Sequence, residues 1–395
     1  MATQQGSCFI HNVNIVLEHE VLKGGVFIAG DAIQAVVPAS SSEEKEWMEK
    51  ADAVQDGNGG WLLPGFIDMH VHGGFGGDFM NADADSYDRI TKFHASQGTT
   101  AMLATTMTAP KESIEAVLAA VAAYREGGMP YAALIGVHLE GPFISVKWPG
   151  AQNPAHIRDP QLDWIKAWHE QYPGMIRQLT LAPETNGATA AIAWMSENGI
   201  IAAAGHTDAV YSEIIAAADA GLSHAVHTYN AMRGLHHREP GTLGAVLTDD
   251  RIHAEIIADG HHVHPAAIRL LLAAKPADKV ILITDAIEAA GMPDGDYELG
   301  GQAVCVNCGV ARLREGNALA GSSLTMIGAF RFMLEHSGLS AVEISRMASG
   351  NAAKELGIYD RTGSIVAGKQ ADLVLADAEF AVQRTWVQGR TVFEA

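Results

Sequence analysis

Apolar runs that end in polar residues recur through the middle of the chain, and a helix-like segment follows each run. These runs lack strict alternation of apolar and polar positions, which is typical of parallel strands covered on both faces. The predicted strands are 66–72, 99–105, 134–141, 177–184, 200–206, 224–230, 254–260 and 280–286. Helices are predicted between them, for example at 113–126, 187–198, 209–220 and 265–274.

Eight strand-then-helix units in succession predict an α/β fold of the (β/α)₈ TIM-barrel type, which we place at residues 64–363. A doubly wound open sheet is the main competitor. Its glycine-rich phosphate fingerprint is absent after the first strand, because the GGFGG at 73–77 has a different spacing. We interpret that segment as a flexible active-site loop.

The two ends of the chain have a different pattern. Residues 1–63 and 364–395 contain short β-rich runs separated by turn residues, without helical crossovers, and therefore predict antiparallel β structure. We predict a small β-sandwich domain assembled from both termini, with the barrel inserted between its two parts.

Composition and charge narrow the classes of function. The 395 residues are 48% hydrophobic and 18% charged, as in an ordinary globular protein. The net charge of −20 argues against binding to nucleic acid or anionic membranes, so an anionic substrate would need local positive charge. The sequence shows no signal peptide and no membrane-spanning run, and we expect a cytoplasmic protein.

The three cysteines, Cys8, Cys305 and Cys308, are too few and too scattered for a disulfide framework and suit a reducing compartment. The CVNC at 305–308 resembles half a zinc knuckle. No second CxxC completes it, so we interpret it as two thiols in a hairpin.

Metal-ligand residue types collect at the predicted strand ends. His70 and His72 lie on one face of the first strand because side chains alternate along a strand. In a (β/α)₈ barrel the chemistry sits at the carboxyl ends of the strands, where all these ends would meet. Imidazoles and carboxylates together suit a divalent transition metal. The candidates are His70, His72, Glu140, His206, His227 and Asp285.

Each candidate alone has a simpler explanation. A single strand-end histidine is usually hydrogen-bonded and structural, Glu140 could stabilise a turn, and Asp285 could be a helix N-cap. Their joint occurrence at the ends of five strands favours the metal site. Three roles stay open for His138: a metal ligand, a contact that supports a ligand, or a packing residue. His224 is interpreted as structural. The loop histidines are expected to be exposed: His236, His237, His261, His262 and His264.

Several motifs together resemble the amidohydrolase superfamily and, within it, the N-acetylglucosamine-6-phosphate deacetylases. They are PGFIDMHVHG, HLEGPF, AGHT, HTYNAMRGLHHREPG, IADGHHV, LITDA and LAGSS. The resemblance covers nearly the whole chain, including GSIVAGKQADLVLAD near the end. Hydantoinases and dihydroorotases bridge two metals with a carboxylated lysine, whereas the corresponding carboxylate here is Glu140, as in the deacetylases.

The resemblance implies metal-dependent hydrolysis of an acetyl group from the 2-amino group of a hexose phosphate. Glu140, His206 and His227 would bind the principal metal, and His70 with His72 a second one. Zinc is the first choice, as one or two ions, with iron or another divalent ion as the alternative. Asp285 would act as base and then as acid.

The resemblance also implies a substrate site. Asn230, Ala231 and Arg238 would surround the phosphate, with Arg238 donated by the neighbouring subunit of a homodimer; a surface Arg238 paired to Glu239 is the alternative. His262 would contact the sugar hydroxyls. Relatives often carry histidine in place of Gln152, which cannot carry a proton. The rest of the pocket would be lined by Ala151, Gln152, Leu319, Ala320 and Gly321.

Other functions stay open at this point. The substrate could be the galactosamine epimer, or the enzyme could be a looser N-acyl amidohydrolase such as a D-aminoacylase. A non-catalytic scaffold of amidohydrolase type is a third candidate, although such proteins usually lose ligands and every expected ligand is present here.

Overall fold

The computed structural model describes residues 6–395, and a parallel barrel forms its centre. Eight strands lie side by side in chain order, each hydrogen-bonded to its neighbours in sequence. They are β1 (Phe66–Val71), β2 (Thr99–Thr106), β3 (Ala133–Glu140), β4 (Ile176–Leu181), β5 (Ile201–Ala204), β6 (His224–Ala225), β7 (His253–Ile257) and β8 (Val280–Ile283).

Side chains and backbone close the barrel between its last and first strands. The Asp285 amide donates to the His70 carbonyl at 2.9 Å, just beyond β8. The Thr284 hydroxyl donates to the buried carboxylate of Asp68 in β1 at 2.6 Å. The predicted (β/α)₈ fold is confirmed.

A helix follows each barrel strand, and the four helices predicted by range are found within two residues of their predicted ends. In the helix Lys111–Glu126, Ile114, Val117, Leu118 and Val121 are buried, which is the spacing of one helical face. The crossover helices are Ala84–Ser96, Lys111–Glu126, Leu162–Gln171, Ala188–Glu197, Tyr211–Asp219, Gly241–Thr248, Pro265–Ala274 and Met326–His336. Ala341–Ser345, the π-helical turn Arg346–Gly350 and Asn351–Glu355 follow them.

Both chain ends build one eight-stranded sheet beside the barrel. Leu373–Ala376 pairs antiparallel with Trp61–Pro64 and so joins the C-terminal strands to the N-terminal ones. The prediction of a β domain made from both termini is confirmed. Its strands are Ser7–Val16, Val21–Ala29, Ala32–Pro38, Ala53–Asp56, Trp61–Pro64, Leu373–Ala376, Val382–Val387 and Arg390–Glu394.

The expectation that these ends lack helical crossovers is wrong at one place. A helix, Ser42–Lys50, precedes Ala53–Asp56, which pairs parallel with Ser7–Val16. The Ser41 hydroxyl accepts from the Glu44 amide at 3.1 Å and caps the helix, which allows a strongly polar segment to start a helix.

Two further hairpins lie near the barrel mouth. Gly73–Gly74 pairs antiparallel with Gly77–Asp78, so GGFGG forms a short hairpin rather than an irregular loop. A side chain at Gly73 would meet the Gly77 carbonyl oxygen at 2.3 Å, which explains the glycine there.

After β8, three antiparallel strands, Gly295–Leu299, Gln302–Asn307 and Val310–Leu313, pack on the mouth through residues such as Leu299 and Met107. Cys305 lies in the second of these strands and Cys308 in the turn that follows it, both as free, exposed thiols, which confirms the hairpin interpretation. Within residues 6–395 no helix has the length and apolar character needed to span a bilayer.

Candidate active site

A cavity of about 360 Å³ opens at the carboxyl ends of the barrel strands. Most of the residues singled out from the sequence line it, together with Met107, Lys147 and Trp148. The predicted residues that line it are His72, Glu140, Ala151, Gln152, His206, His227, Asn230, Ala231, His262, Asp285, Leu319 and Gly321.

Three ligand atoms form a tight triangle at the cavity floor. Glu140 Oε1 lies 3.2 Å from His206 Nε2 and 3.1 Å from His227 Nε2, and the two imidazole nitrogens are 3.1 Å apart. Ligand atoms bound tetrahedrally to zinc at about 2.0–2.1 Å stand about 3.3 Å apart. The spacing of the three atoms therefore fits a common divalent cation.

The protonation of His206 is set by its other ring nitrogen. Its Nδ1 lies 2.9 Å from the Trp148 carbonyl oxygen, which can only accept, so Nδ1 carries the proton and Nε2 presents a lone pair to the triangle. This is how metal-binding histidines are generally oriented in proteins.

A second group of ligand atoms lies beside the first. His72 Nε2 is 3.2 Å from Asp285 Oδ1 and 3.2 Å from Glu140 Oε2, and His70 Nε2 is 3.7 Å from Asp285 Oδ1. His70 Nε2 is buried and forms no hydrogen bond within residues 6–395, as expected of an atom reserved for a cation. Glu140 therefore contacts both groups, one through each oxygen.

Opposite charges shift the pKa values of these side chains away from those that burial alone would give. Burial alone would lower the pKa of His72, but Asp285 and Glu140 outweigh it and raise that pKa to about 9. Burial alone would raise the pKa of Glu140, yet His70, His206 and His227 hold it well below its ordinary value. The site thus holds many opposite charges close together, and a bound cation would change the protonation of these side chains.

The backbone turns sharply where three of these residues leave their strands. His206, His227 and Asp285 have φ values of 47°, 31° and 51°, in the left-handed region that side chains other than glycine seldom adopt. Such residues cannot continue a strand, so β5, β6 and β8 end earlier than predicted. Strained backbone of this kind is concentrated at functional sites.

The comparisons with known proteins agree with this geometry. The amidohydrolase family model matches residues 61–392. This chain belongs to the amidohydrolase family. The family is typically dependent on divalent metals, and the histidine and carboxylate clusters of this amidohydrolase are candidates to hold them.

Its relatives include deacetylases of amino-sugar phosphates. N-acetylglucosamine-6-phosphate deacetylase from Bacillus subtilis is 41% identical over 393 residues, covering 98% of this chain and 97% of the relative. N-acetylgalactosamine-6-phosphate deacetylase from Escherichia coli is 41% identical over 329 residues, covering 83% of this chain and 87% of the relative.

Solved structures of such deacetylases are similar to this chain. N-acetyl-D-glucosamine-6-phosphate deacetylase from Mycobacterium smegmatis is 34% identical with a TM-score of 0.90, covering 98% of this chain and 100% of that chain. A mutant of that enzyme was solved in complex with N-acetyl-D-glucosamine-6-phosphate.

Two residues predicted for the substrate site lie elsewhere in the amidohydrolase structure. Ala320 is fully buried in the apolar cluster beneath the three-stranded sheet. Arg238 is exposed and outside the described cavity lining, and its Nη1 lies 2.9 Å from His237 Nε2. Glu239 instead accepts from the Tyr211 amide at 2.9 Å, so the surface pairing of Arg238 with Glu239 is not formed in residues 6–395.

Sequence reasoning missed several residues that support the site. The carboxylate of Asp259 lies 2.7 Å from His262 Nδ1 and orients that ring towards the cavity. Asp208 receives hydrogen bonds from Lys147 at 2.8 Å and from the Trp148 indole at 2.9 Å. Asp259 follows an apolar strand directly, which is the same signal that identified the metal candidates.

Proposed function

We propose that this amidohydrolase hydrolyses N-acetylglucosamine-6-phosphate to glucosamine-6-phosphate and acetate. The observation that carries the proposal is the triangle of Glu140, His206 and His227 with Asp285 at its edge, inside a cavity of about 360 Å³. A cavity of this size suits one small ligand. The near full-length likeness to deacetylases of this substrate supports the same reaction.

Metal binding is assigned to the two ligand groups. Glu140, His206 and His227 would hold the principal ion, and His70 with His72 a second one. Zinc is the preferred metal because nitrogen and oxygen ligands at this spacing suit it, and iron or another divalent ion is the alternative. When bound, such a cation polarises the acetyl carbonyl and makes water more acidic.

Asp285 is assigned the proton transfers. Its carboxylate lines the cavity beside the ligand groups, and His70 and His72 hold its pKa below the ordinary value although burial would raise it. An ionised carboxylate can accept a proton from the attacking water. It then returns that proton to the sugar nitrogen, which leaves as an amine.

Gln152 takes a fixed orientation beside the metal ligands. Its Oε1 accepts from the Thr108 amide at 2.7 Å, and its Nε2 donates to Glu140 Oε2 at 2.5 Å. The amide group therefore supplies a neutral hydrogen bond where related enzymes often have histidine. Polarisation of the acetyl carbonyl would depend more on the cation in this enzyme.

Acetate release from N-acetylglucosamine-6-phosphate is expected to fall to background after dialysis against a chelator and to return when zinc is added. The reason is that the chain itself offers no other Lewis acid for the acetyl carbonyl among the described cavity residues. Acetate should be measured by a coupled assay, with a non-chelating buffer as control. Undiminished hydrolysis in metal-free protein would contradict the assignment, and no hydrolysis by metal-loaded protein would favour a scaffold.

The galactosamine epimer is the second candidate substrate, because a relative that is 41% identical acts on that epimer. The two epimers differ only at one hydroxyl of the sugar, and His262 is assigned to contact sugar hydroxyls. Measuring kcat/KM for both sugar phosphates decides between them: a higher value for the galactosamine compound would replace the first proposal.

The phosphate is assigned to Asn230, Ala231 and an Arg238 from the partner subunit of a homodimer. The first two line the cavity, whereas Arg238 projects from an exposed loop that also carries the 54%-exposed Leu235. An exposed apolar residue beside an exposed guanidinium fits a subunit contact. The free thiols and the phosphorylated substrate fit the cytoplasmic location that we propose.

Arg238→Ala is expected to raise KM for the phosphorylated sugar about tenfold or more and to change little for unphosphorylated N-acetylglucosamine, since a charged hydrogen bond is lost only in the first case. Mixing Arg238→Ala with Asp285→Asn subunits should restore about a quarter of the wild-type sites, because half of the dimers hold one intact site. No restoration after subunit exchange would place Arg238 outside the partner's site. Arg331→Ala is the surface control.

A further inference from the structure

A buried network of acidic and basic side chains runs from the metal candidates into the barrel interior. Glu255 on β7 is completely buried, as are His70 and His224. No step of the proposed reaction uses Glu255 or His224. Burying a carboxylate costs folding free energy unless hydrogen bonds and opposite charges compensate for it. The partners of Glu255 therefore indicate its role.

The two oxygens of Glu255 have separate partners. Oε2 lies 2.9 Å from His70 Nδ1. Oε1 accepts from the Gln178 amide at 2.8 Å and lies 3.2 Å from His224 Nε2. Oε2 therefore faces the metal candidates, whereas Oε1 faces Gln178 and His224 on the opposite side.

His224 lies between two carboxylates. Its Nδ1 lies 3.6 Å from Glu355 Oε2, so carboxylates face both sides of the ring. Burial alone would lower the pKa of His224, but Glu255 and Glu355 outweigh it and raise that pKa to about 9. The ring is therefore a cation that pairs with Glu255 across 3.2 Å.

The spacing of His224, His253 and Glu355 would also suit a metal ion, since one ligand atom of each lies within 4.8 Å of the others. However, the Lys279 ammonium lies 3.4 Å from His253 Nε2 and requires a lone pair there. The proton of His253 is then on Nδ1, where it faces Glu355 at 3.1 Å. The charges of the cluster therefore compensate one another, and neither nitrogen of His253 is offered to a cation.

We infer that Glu255 is a positioning residue that fixes the tautomer of His70, and that Gln178 and His224 fix the orientation of Glu255. Because Glu255 Oε2 accepts from His70 Nδ1, Nδ1 keeps its proton, and Nε2, the atom that faces Glu140 and Asp285, is the nitrogen left to bind a cation. The inference rests on the proposed metal site and specifies what allows His70 to bind the second ion. Such supporting contacts typically contribute a 10–100-fold factor in metal affinity.

Glu255→Gln tests this directly, because an amide has one oxygen and one NH₂ group. Gln178 donates to one side, where the charged His224 also lies, so the amide oxygen should turn to them and the NH₂ group should face His70. His70 must then accept at Nδ1 and carry its proton on Nε2. The substitution is therefore expected to exchange the tautomer of His70 and to block its metal-binding nitrogen.

The tautomer is read in zinc-loaded protein, where a cation on Nε2 replaces the proton of that nitrogen, by ¹⁵N NMR of labelled histidine, with His70→Asn used to assign the signal. Wild type should show a proton on Nδ1 and Glu255→Gln a proton on Nε2. Zinc titration calorimetry should show the second ion bound about 10–100-fold more weakly in the variant, with the first ion retained. Glu355→Gln is the matched control, since it alters the network without touching His70, and should leave the tautomer unchanged.

An Nε2 proton in wild type would overturn the inference without any variant, even if Glu255→Gln did not fold. An unchanged tautomer or unchanged zinc titration in a folded Glu255→Gln protein would also overturn it, as would the same exchange in Glu355→Gln. These readouts need no substrate. Failure of the deacetylase proposal appears separately, as the absence of acetate release by wild type.

Discussion

Replacing Asp285 with asparagine is expected to lower kcat about 10²–10⁴-fold, the range that a positioned acid or base contributes. Asparagine keeps the shape of the side chain but cannot take a proton from water or return it to the leaving nitrogen. KM should change little, since the principal metal ligands and the residues assigned to the phosphate are untouched. Acetate release measured at saturating substrate gives kcat directly.

The metal content of Asp285→Asn separates proton transfer from metal binding. Elemental analysis should still find the ion held by Glu140, His206 and His227, because Asp285 belongs to the neighbouring group. Asp296→Asn, on a side chain that is 67% exposed, is the control for a lost carboxylate. Near-normal turnover by Asp285→Asn would remove this residue from the mechanism.

The barrel was predictable because its strands are unusually uniform. Buried strands such as TTAMLATT read as continuous apolar runs with polar ends, and eight of them alternate with helical patterns. The ends of the strands were less predictable. His227 follows a two-residue strand, since the left-handed backbone at the site interrupts the ladder although the sequence HAVHTYN continues as a strand pattern.

The candidate metal ligands were found from position alone, whereas the residues that orient them were not. His70 and His72 are recognisable by alternation on one strand. Glu255 gives a weaker signal, a single acidic residue within the apolar run HAEII, and its partner His70 is 185 positions away. Neither periodicity nor composition indicates which of the buried side chains across a barrel will meet.

The contact between subunits that we propose cannot be predicted from the residue pattern of the chain. The role of Arg238 came only from the likeness to deacetylases, and the single chain places this residue on the surface. Ala320 was placed in the correct segment but on the wrong side of it. The segment LAGSS reaches the cavity, but its alternate residues face opposite sides. Leu319 and Gly321 line the cavity, while Ala320 packs into the apolar cluster between them.

Glu140→Gln is expected to remove both metal binding and turnover, the largest effect of any single change proposed. Glu140 Oε1 contacts His206 and His227 and its Oε2 contacts His72, so the carboxylate is shared by both ligand groups. An amide supplies one neutral oxygen, and its NH₂ group would meet either imidazole lone pairs or the NH₂ group of Gln152. Metal affinity should fall more than about 100-fold, beyond the effect of losing a supporting contact.

The loss should appear first in the metal content and only as a consequence in catalysis. Elemental analysis after desalting should find less than one ion per chain, and acetate release should fall at least as far as in Asp285→Asn. Glu115→Gln, which changes a helix carboxylate bonded to Trp168, is the matched control. If Glu140→Gln kept its full complement of metal, the principal site would have to be built from other residues, and the imidazole triangle would lose its function.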